Sequence, residues 1–199
     1  MNKIQPHAKF ESVQLIELGA FEDDRGWMAR ISDEETFKAA GIPCQWSQVS
    51  HSHTAHAGIL RGIAVSLAPF REAKMVRILR GRMQWVLVDL RAESETFGQW
   101  GEVLLDEKVK NAFYAPKGFA HSCLCLSDKT DLLLMADCQF DAAHATGIRW
   151  DDPALGIGWR TNEVGGLRLS DAHRAYGSFD DYLKKHAAGL VHASLNISY

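Results

Sequence analysis

The sequence predicts a mainly β protein, built as a sandwich or barrel with a few short helices. The first observation is a succession of many short β-like segments at close spacing. The second is a chain of 199 residues with 46% hydrophobic and 24% charged residues, which suits one soluble domain with a sizeable core. The third is that no repeat, low-complexity linker or break in composition divides the chain. We therefore expect a single domain over residues 1–199, with a C-terminal helix and tail from about residue 178.

The candidate strands are the β-like segments themselves, which extend over most of the chain. In chain order they are Ser12–Glu17, Gln45–Ser52, Ile59–Ser66, Lys74–Arg80, Arg82–Leu90, Glu102–Asp106, Asn111–Ala115, Cys123–Leu126 and Leu132–Phe140. Gly81 stands between two of these runs and predicts a hairpin turn that joins them.

Two segments are predicted to be helical. Asp33–Ala40 is followed by Gly41, which stands where a helix C-cap glycine is expected. Ser178–Ala188 begins with a serine, carries two aspartates in its first turn and has three basic residues near its end, an order that suits the helix dipole. The tail Leu190–Tyr199 alternates between apolar and polar residues, which favours an additional strand that pairs with a partner subunit.

Charge and cysteine content narrow the class of protein. A formal net charge of −3 argues against nucleic acid or an anionic membrane as the partner. The sequence lacks an apolar run of the roughly 18 residues that a membrane-spanning helix needs, and its N-terminus does not resemble a signal peptide. Cys123 and Cys125 alternate on one predicted strand, so they share a face and do not bridge each other. We expect four free, buried thiols in a cytoplasmic protein, and mostly buried tryptophans.

Several separate motifs, in one consistent order over roughly residues 10 to 175, resemble those of the dTDP-4-dehydrorhamnose 3,5-epimerase family. These motifs are Phe21–Trp27 (FEDDRGW), Gly58–Gly62 (GILRG), Ala73–Arg77 (AKMVR), Val88–Arg91 with Ser94–Trp100, Ala115–His121 (APKGFAH), and Gly147–Pro153 (GIRWDDP) with Ile157–Trp159 behind it. The resemblance implies a cupin-type jelly-roll β-barrel and a homodimer with exchanged edge strands. It also implies that the partner is a nucleoside-diphosphate 4-keto-6-deoxy sugar, in surface-polysaccharide or deoxysugar biosynthesis, without a cofactor.

Epimerisation next to a ketone requires a base, an acid on the opposite face and a cation near the developing enolate. At five positions that the family uses to bind its substrate, this chain has the family's residue. The Arg-Gly arginine is Arg61, the enolate lysine is Lys74, and the histidine of the Gly-Phe-Ala-His stretch is His121. Arg25 of the entry motif and Gln48 match the family's nucleotide-facing residues. Together Arg61, Lys74 and His121 are interpreted as a diphosphate and oxyanion grip.

The positions that the family uses for proton transfer are substituted. Ala64 stands where the family has its histidine base, and Leu134 stands where it has its tyrosine acid. His173 occupies the position of the aspartate that orients the base, and Arg30 replaces an acidic residue after the entry motif, which leaves the nucleotide open. The resemblance therefore implies a retained binding pocket with altered or lost epimerase chemistry.

Three alternatives remain open at the level of the sequence. The protein acts on or binds a nucleotide sugar with altered chemistry, or it is a non-catalytic binding or scaffold cupin. In the third alternative it is a 3,5-epimerase with a rearranged base, such as an imidazole that His173 delivers into the space left by Ala64; Asp171 is the other candidate near that position.

A histidine cluster raises the question of a metal site. His51 and His53 alternate and therefore share a strand face, and His56 follows closely; with His121 they suggest a metal site of the kind that cupins often hold. However, the sequence has Ala64-Val65-Ser66 where cupins place their histidine and glutamate ligands. We therefore predict no metal.

Overall fold

A computed structural model describes residues 2–191 of the chain, with side chains described as far as His186. The described residues form thirteen strands and three α-helices, together with two short 3-10 turns. The strands are β1 (Lys3–Pro6), β2 (Gln14–Glu17), β3 (Ala20–Asp23), β4 (Gly26–Ala29), β5 (Gln48–Thr54), β6 (Leu60–Ser66), β7 (Lys74–Arg80), β8 (Arg82–Asp89), β9 (Trp100–Asp106), β10 (Asn111–Ala115), β11 (Phe119–Cys125), β12 (Thr130–Ala136) and β13 (Ala145–Ile148). The helices are α1 (Glu34–Ala39), α2 (Asp171–Arg174) and α3 (Phe179–Val191).

The strands form two antiparallel sheets that enclose the main core, which confirms the predicted mainly β jelly-roll barrel. One sheet has the order β1-β2-β10-β7-β12-β5, and the other has the order β13-β6-β11-β8-β9. Strands β3 and β4 pair only with each other and form a separate two-stranded hairpin. Except for the consecutive pairs β1–β2 and β8–β9, neighbours in each sheet are not consecutive along the chain, as a jelly roll requires.

Apolar residues on both faces of the sheets account for this arrangement. Val76, Phe113 and Leu87 fill the space between the two sheets, with Phe10 closing one side. Helix α1 packs Phe37 against the outer face of the six-stranded sheet. Tyr182 of α3 packs on the outer face of the five-stranded sheet, among apolar residues of β6 and β8.

Both predicted helices are present, but α3 extends beyond its predicted end at Ala188. The Asp33 carboxylate accepts a hydrogen bond from the Thr36 backbone at the start of α1, and Gly41 follows the helix with φ 69°. Helix α3 has two aspartates in its first turn and continues to Val191. The strand predicted at Leu190–Tyr199 thus begins inside this helix, and residues 192–199 lie outside the described part of the chain.

The predicted hairpin at Gly81 is wrong. Strands β7 and β8 do not pair, because β7 lies in the six-stranded sheet and β8 lies in the five-stranded sheet. Gly81, with φ 84°, makes a corner that carries the chain from one sheet to the other. A Cβ atom there would lie 2.5 Å from the hydroxyl oxygens of Ser127 and Thr130, so the corner leaves no room for a side chain. Composition alone does not separate such a corner from a hairpin.

The burial of the cysteines and tryptophans agrees with the prediction only in part. All four cysteines are free, and Cys123 and Cys125 are buried on the same inner face, as the alternation predicts. Cys44, however, is exposed, and Trp27 on β4 is 53% exposed, so neither is a core residue. Among the described residues, the structure has no helix that is both long enough and apolar enough to cross a membrane.

Candidate functional site

The register of the five-stranded sheet brings two of the predicted site residues onto its inner face. His121 of β11 lies opposite Ala64 of β6 on one side and Leu87 of β8 on the other. The next inward row consists of Arg61, Cys123 and Trp85. Because side chains in a cross-strand row point to the same face, Arg61 and His121 both face the barrel interior.

A β-bulge in β6 separates these two rows. The three residues of β11 from His121 to Cys123 lie opposite four residues of β6, from Ala64 back to Arg61. The extra residue allows both Arg61 and Ala64 to face inward, although they are three positions apart in a strand. Ile63 between them points to the outer face, where it is fully buried.

The facing six-stranded sheet contributes Lys74 and Leu134. Lys74 of β7 lies opposite Ala136 of β12, which in turn lies opposite Gln48 of β5. One row further along, Leu134 pairs with Val76 and packs against the main core. The neighbour Met135 packs on the outer face, so Leu134 is the residue that stands on the inner wall at the tyrosine position.

A pocket opens at the end of the barrel where β6 ends and β7 begins. Ala64, Lys74 and His121 line it, with Phe119 and Leu90 on the apolar side. The polar side chains around it are Ser66, Arg71, Glu72, Lys74, His121 and Tyr182. The Lys74 ammonium lies 2.7 Å from a carboxylate oxygen of Glu72, and both side chains are only 17% exposed. The Ser66 hydroxyl lies 3.4 Å from the same Glu72 oxygen.

His121 is held in one orientation by Trp85. The indole N–H of Trp85 donates to Nδ1 of His121 across 3.3 Å, in a residue that is 6% exposed. Nε2 of His121 is buried and has no hydrogen-bond partner among the described residues. Burial, and secondarily the charge of Lys74, hold the pKa of His121 well below its usual range. The imidazole is therefore neutral at pH 7.

His173 lies beside the bulge of β6. It belongs to α2, and its side chain and the ring of Tyr176 pack against Gly62, with the two rings 5.5 Å apart. Tyr176 also covers Gly147, the residue of β13 directly opposite Ala64. Burial, followed by the charge of Arg61, lowers the pKa of His173. Asp171 lies at the exposed start of α2.

The two remaining predicted nucleotide contacts occupy different surroundings. Gln48 faces the barrel mouth in the same row as Lys74, and its side-chain oxygen accepts a hydrogen bond from the Phe140 backbone. Arg25 lies in the turn of the β3–β4 hairpin, 85% exposed and paired with Asp23. Within one copy of the described chain, Arg25 is therefore not part of the pocket around Lys74. Arg30 lies just after the hairpin, 3.6 Å from the Asp33 carboxylate.

The histidine cluster lies on the outer face of the six-stranded sheet. His51 Nε2 and His53 Nδ1 contact the same Asp131 oxygen at 3.1 Å and 2.9 Å. Their shared face agrees with the alternation, but they point away from His121, which faces inward. His56 lies in the exposed turn after β5. In the part of the chain that the structure describes, no group of three or more histidine, cysteine or carboxylate side chains has a geometry suited to a metal ion.

Sequence reasoning missed three residues of this site. Glu72 precedes the Ala-Lys motif and belongs to no motif itself. The available signal was its position two residues before a strand lysine, from which a carboxylate can pair with that lysine. Trp85 was counted among the core tryptophans, and only the register reveals its contact with His121. Tyr176 follows His173 by three positions. In a helix this spacing brings two side chains together, and it was the signal in the sequence for their contact.

Comparisons with known proteins match most of the chain to one family. A family model for dTDP-4-dehydrorhamnose 3,5-epimerase matches residues 7–181. The chain is 36% identical to the dTDP-4-dehydrorhamnose 3,5-epimerase of Pseudomonas aeruginosa, over 85% of this chain and 92% of that protein. It is 31% identical to the Escherichia coli protein of the same name, over 92% and 97% of the two chains. An epimerase structure from Legionella pneumophila, in complex with dTDP-4-keto-L-rhamnose, superimposes with a TM-score of 0.84 at 28% identity, covering 90% of this chain and 94% of that one.

Proposed function

Because this chain belongs to the dTDP-4-dehydrorhamnose 3,5-epimerase family, we propose that it binds a nucleoside-diphosphate 4-keto-6-deoxy sugar in the barrel and carries out altered proton chemistry on it, in deoxysugar or surface-polysaccharide biosynthesis. The observation that carries the proposal is the composition of the inner wall. Arg61, Lys74 and His121 face the barrel interior, while apolar Ala64 and Leu134 stand at the positions of the family's base and acid.

The binding half of the proposal rests on charge and hydrogen-bonding capacity. Arg61 presents a guanidinium that suits bidentate contact with a phosphate. Its side chain is exposed, with one nitrogen 3.5 Å from the Thr54 hydroxyl. Lys74 and His121 line the pocket and add an ammonium and an imidazole, whose Nε2 has no hydrogen-bond partner among the described residues. A diphosphate near Arg61 would leave the sugar directed towards Lys74. The free thiols of the chain are in keeping with a cytoplasmic location as part of the same proposal.

A second candidate is 3,5-epimerisation with His173 as the base. The observation in its favour is that His173 packs against Gly62, two positions before Ala64, together with a tyrosine that lies over Gly147. In this variant the imidazole reaches the sugar from α2 rather than from β6. The two candidates share the binding step and differ in which group removes the proton.

Binding is tested by a thermal-shift panel of dTDP, UDP, CDP and GDP. A cognate nucleotide at about 100 times its Kd should stabilise the folded state by about 2.7 kcal/mol, because it binds only that state. Arg61→Gln should weaken binding of that nucleotide roughly 10- to 100-fold, the effect of losing a charge-assisted hydrogen bond of about 1.5–3 kcal/mol. The matched control is Arg80→Gln, at the exposed end of β7, which should leave affinity unchanged. Absence of a shift with all four nucleotides would count against the proposal.

The proposal includes a homodimer. All four residues of β3 are exposed, and the β3–β4 hairpin carries Phe21, Trp27 and Met28 with exposed fractions of 64%, 53% and 63%. Edge strand β5 adds Val49, which is 57% exposed. Apolar side chains gathered on an isolated hairpin and on an open sheet edge favour burial against a second copy.

A further inference from the structure

We propose that Glu72 is the proton acceptor of the pocket and takes the place of the histidine base that this chain lacks at Ala64. The assignment rests on the proposed function, since it requires a keto sugar in the barrel. Glu72 lies in the segment between β6 and β7, lines the pocket together with Ala64, and pairs with Lys74 at 2.7 Å.

Most polar residues of the pocket are excluded as proton acceptors by their own chemistry. A base must hold a lone pair that is free to receive a proton at working pH. Arg71 remains protonated in proteins, and Lys74 is the ammonium partner of Glu72. Ser66 and Tyr182 carry hydroxyl protons at neutral pH, and burial raises the pKa of Tyr182 further. The remaining candidates are Glu72 and His121.

The contact with Trp85 excludes His121. An indole N–H is only a donor, so Nδ1 of His121 must accept its hydrogen bond. In a neutral imidazole the single proton then resides on Nε2, the atom that lacks a partner among the described residues. Neither ring nitrogen of His121 therefore has a lone pair free to take a proton from a ligand. Among the pocket residues that the structure describes, this leaves the Glu72 carboxylate.

The arrangement supports a balanced proton transfer. The C–H bond next to the ketone of the sugar breaks, and its proton moves to a carboxylate oxygen of Glu72. The electron pair of that bond forms the carbon–carbon double bond of the enolate, and the carbonyl pair moves onto the oxygen. Lys74, which paired with the Glu72 carboxylate, pairs with the enolate oxygen instead, so one cation faces one anion before and after the step. Return of a proton from Glu72 to carbon restores the carboxylate.

The test is deuterium incorporation from 2H2O into dTDP-4-keto-L-rhamnose, followed at the carbons beside the ketone by NMR and mass spectrometry. We expect exchange with the unaltered protein, and a loss of at least about 100-fold in Glu72→Gln, the lower range for a general base. Glu72→Asp retains a carboxylate and should keep measurable exchange. Glu107→Gln is the matched control, since Glu107 is exposed in the turn after β9, and it should exchange at the unaltered rate.

Two further measurements keep the outcomes distinct. dTDP affinity by calorimetry should change only a few-fold in Glu72→Gln, and its melting temperature shows that the variant is folded. Exchange at the unaltered rate in Glu72→Gln, or loss of exchange in His173→Ala with Glu72 intact, would overturn the assignment. So would an unaltered protein that binds dTDP without exchanging deuterium. Failure to bind any of the four nucleoside diphosphates is a separate result, because it contradicts the proposed function itself.

Discussion

At the scale of single residues, the hydrogen bond from Trp85 determines what His121 can do. A histidine has two ring nitrogens, and its partner decides which one carries the proton. Had a carboxylate stood at position 85, Nδ1 would have donated and Nε2 would have been free to accept. With Trp85 as the donor, Nδ1 accepts and the ring proton of His121 resides on Nε2. One contact thus removes a potential base.

This tautomer can be observed directly by 15N NMR of the histidine rings. We expect the Nε2–H form of His121 at pH 7, because Nδ1 accepts from Trp85 and the pKa of His121 is well below its usual range. Trp85→Phe removes the donor, and the Nδ1–H form should then become populated. Trp159→Phe is the control, because its indole N–H donates to the Trp150 carbonyl instead. Nδ1–H as the dominant form in the unaltered protein would contradict this account.

At the scale of elements, the contact between β13 and the segment after α2 positions the wall next to Ala64. Gly147 of β13 lies opposite Ala64, and the ring of Tyr176 occupies the space where a side chain of residue 147 would stand. Tyr176 in turn packs against His173 and against Gly62 on the neighbouring strand. Two glycines on adjacent strands therefore make room for one aromatic ring beside the pocket.

Gly147→Ala tests this packing. A Cβ atom would overlap the Tyr176 ring, so we expect a loss of about 1–3 kcal/mol in the free energy of unfolding, the usual cost of overpacking. Gly165→Ala is the matched control, because a Cβ atom there meets nothing within 4 Å. It should be neutral or slightly stabilising. Urea denaturation of both variants provides the measurement, and equal stabilities would show that Tyr176 is not held against β13.

At the scale of the whole molecule, the site as described in one copy lacks Arg25. Its hairpin extends from the barrel with apolar side chains exposed, and the entry motif that the family resemblance assigns to the nucleotide lies on it. If a second copy covers the hairpin, the hairpin and the edge strand β5 become an interface. The homodimer and the position of Arg25 are therefore two aspects of one proposal.

We predict that the protein is a dimer and that changes in the β3–β4 hairpin weaken it. Light scattering coupled to size-exclusion chromatography should give the mass of a dimer, and the pair of changes Phe21→Ser and Met28→Ser should shift it towards the monomer. Both side chains are more than 60% exposed in the single copy, so the changes should hardly affect its own core. Val109→Ser alters an exposed apolar residue far along the chain, in the turn after β9, and should leave the dimer intact. A monomeric unaltered protein would contradict the dimer.

The sequence by itself determined the fold class and most of the barrel. Strands at Lys74–Arg80 and Asn111–Ala115 have the predicted bounds, because alternation and apolar runs record which face of a strand is buried. Strands β1, β3, β4 and β13 were missed: β1 and the β3–β4 hairpin are almost entirely exposed, and β13 contains a glycine and a threonine where apolar residues would signal a strand. The motif order also predicted Arg61, Lys74 and His121 as site residues, with Ala64 and Leu134 as substituted positions.

Only the tertiary structure decided what surrounds those residues. Sequence reasoning had no means of pairing Glu72 with Lys74 inside a pocket, or of bringing Trp85 to His121 from a different strand, because both contacts depend on register and on which sheet a strand joins. The Gly81 corner shows the same limit, since a glycine permits either turn and the rest of the chain selects one. Local sequence therefore predicted which side chains to expect at the candidate site, and the packing of distant strands determined which partners those side chains contact.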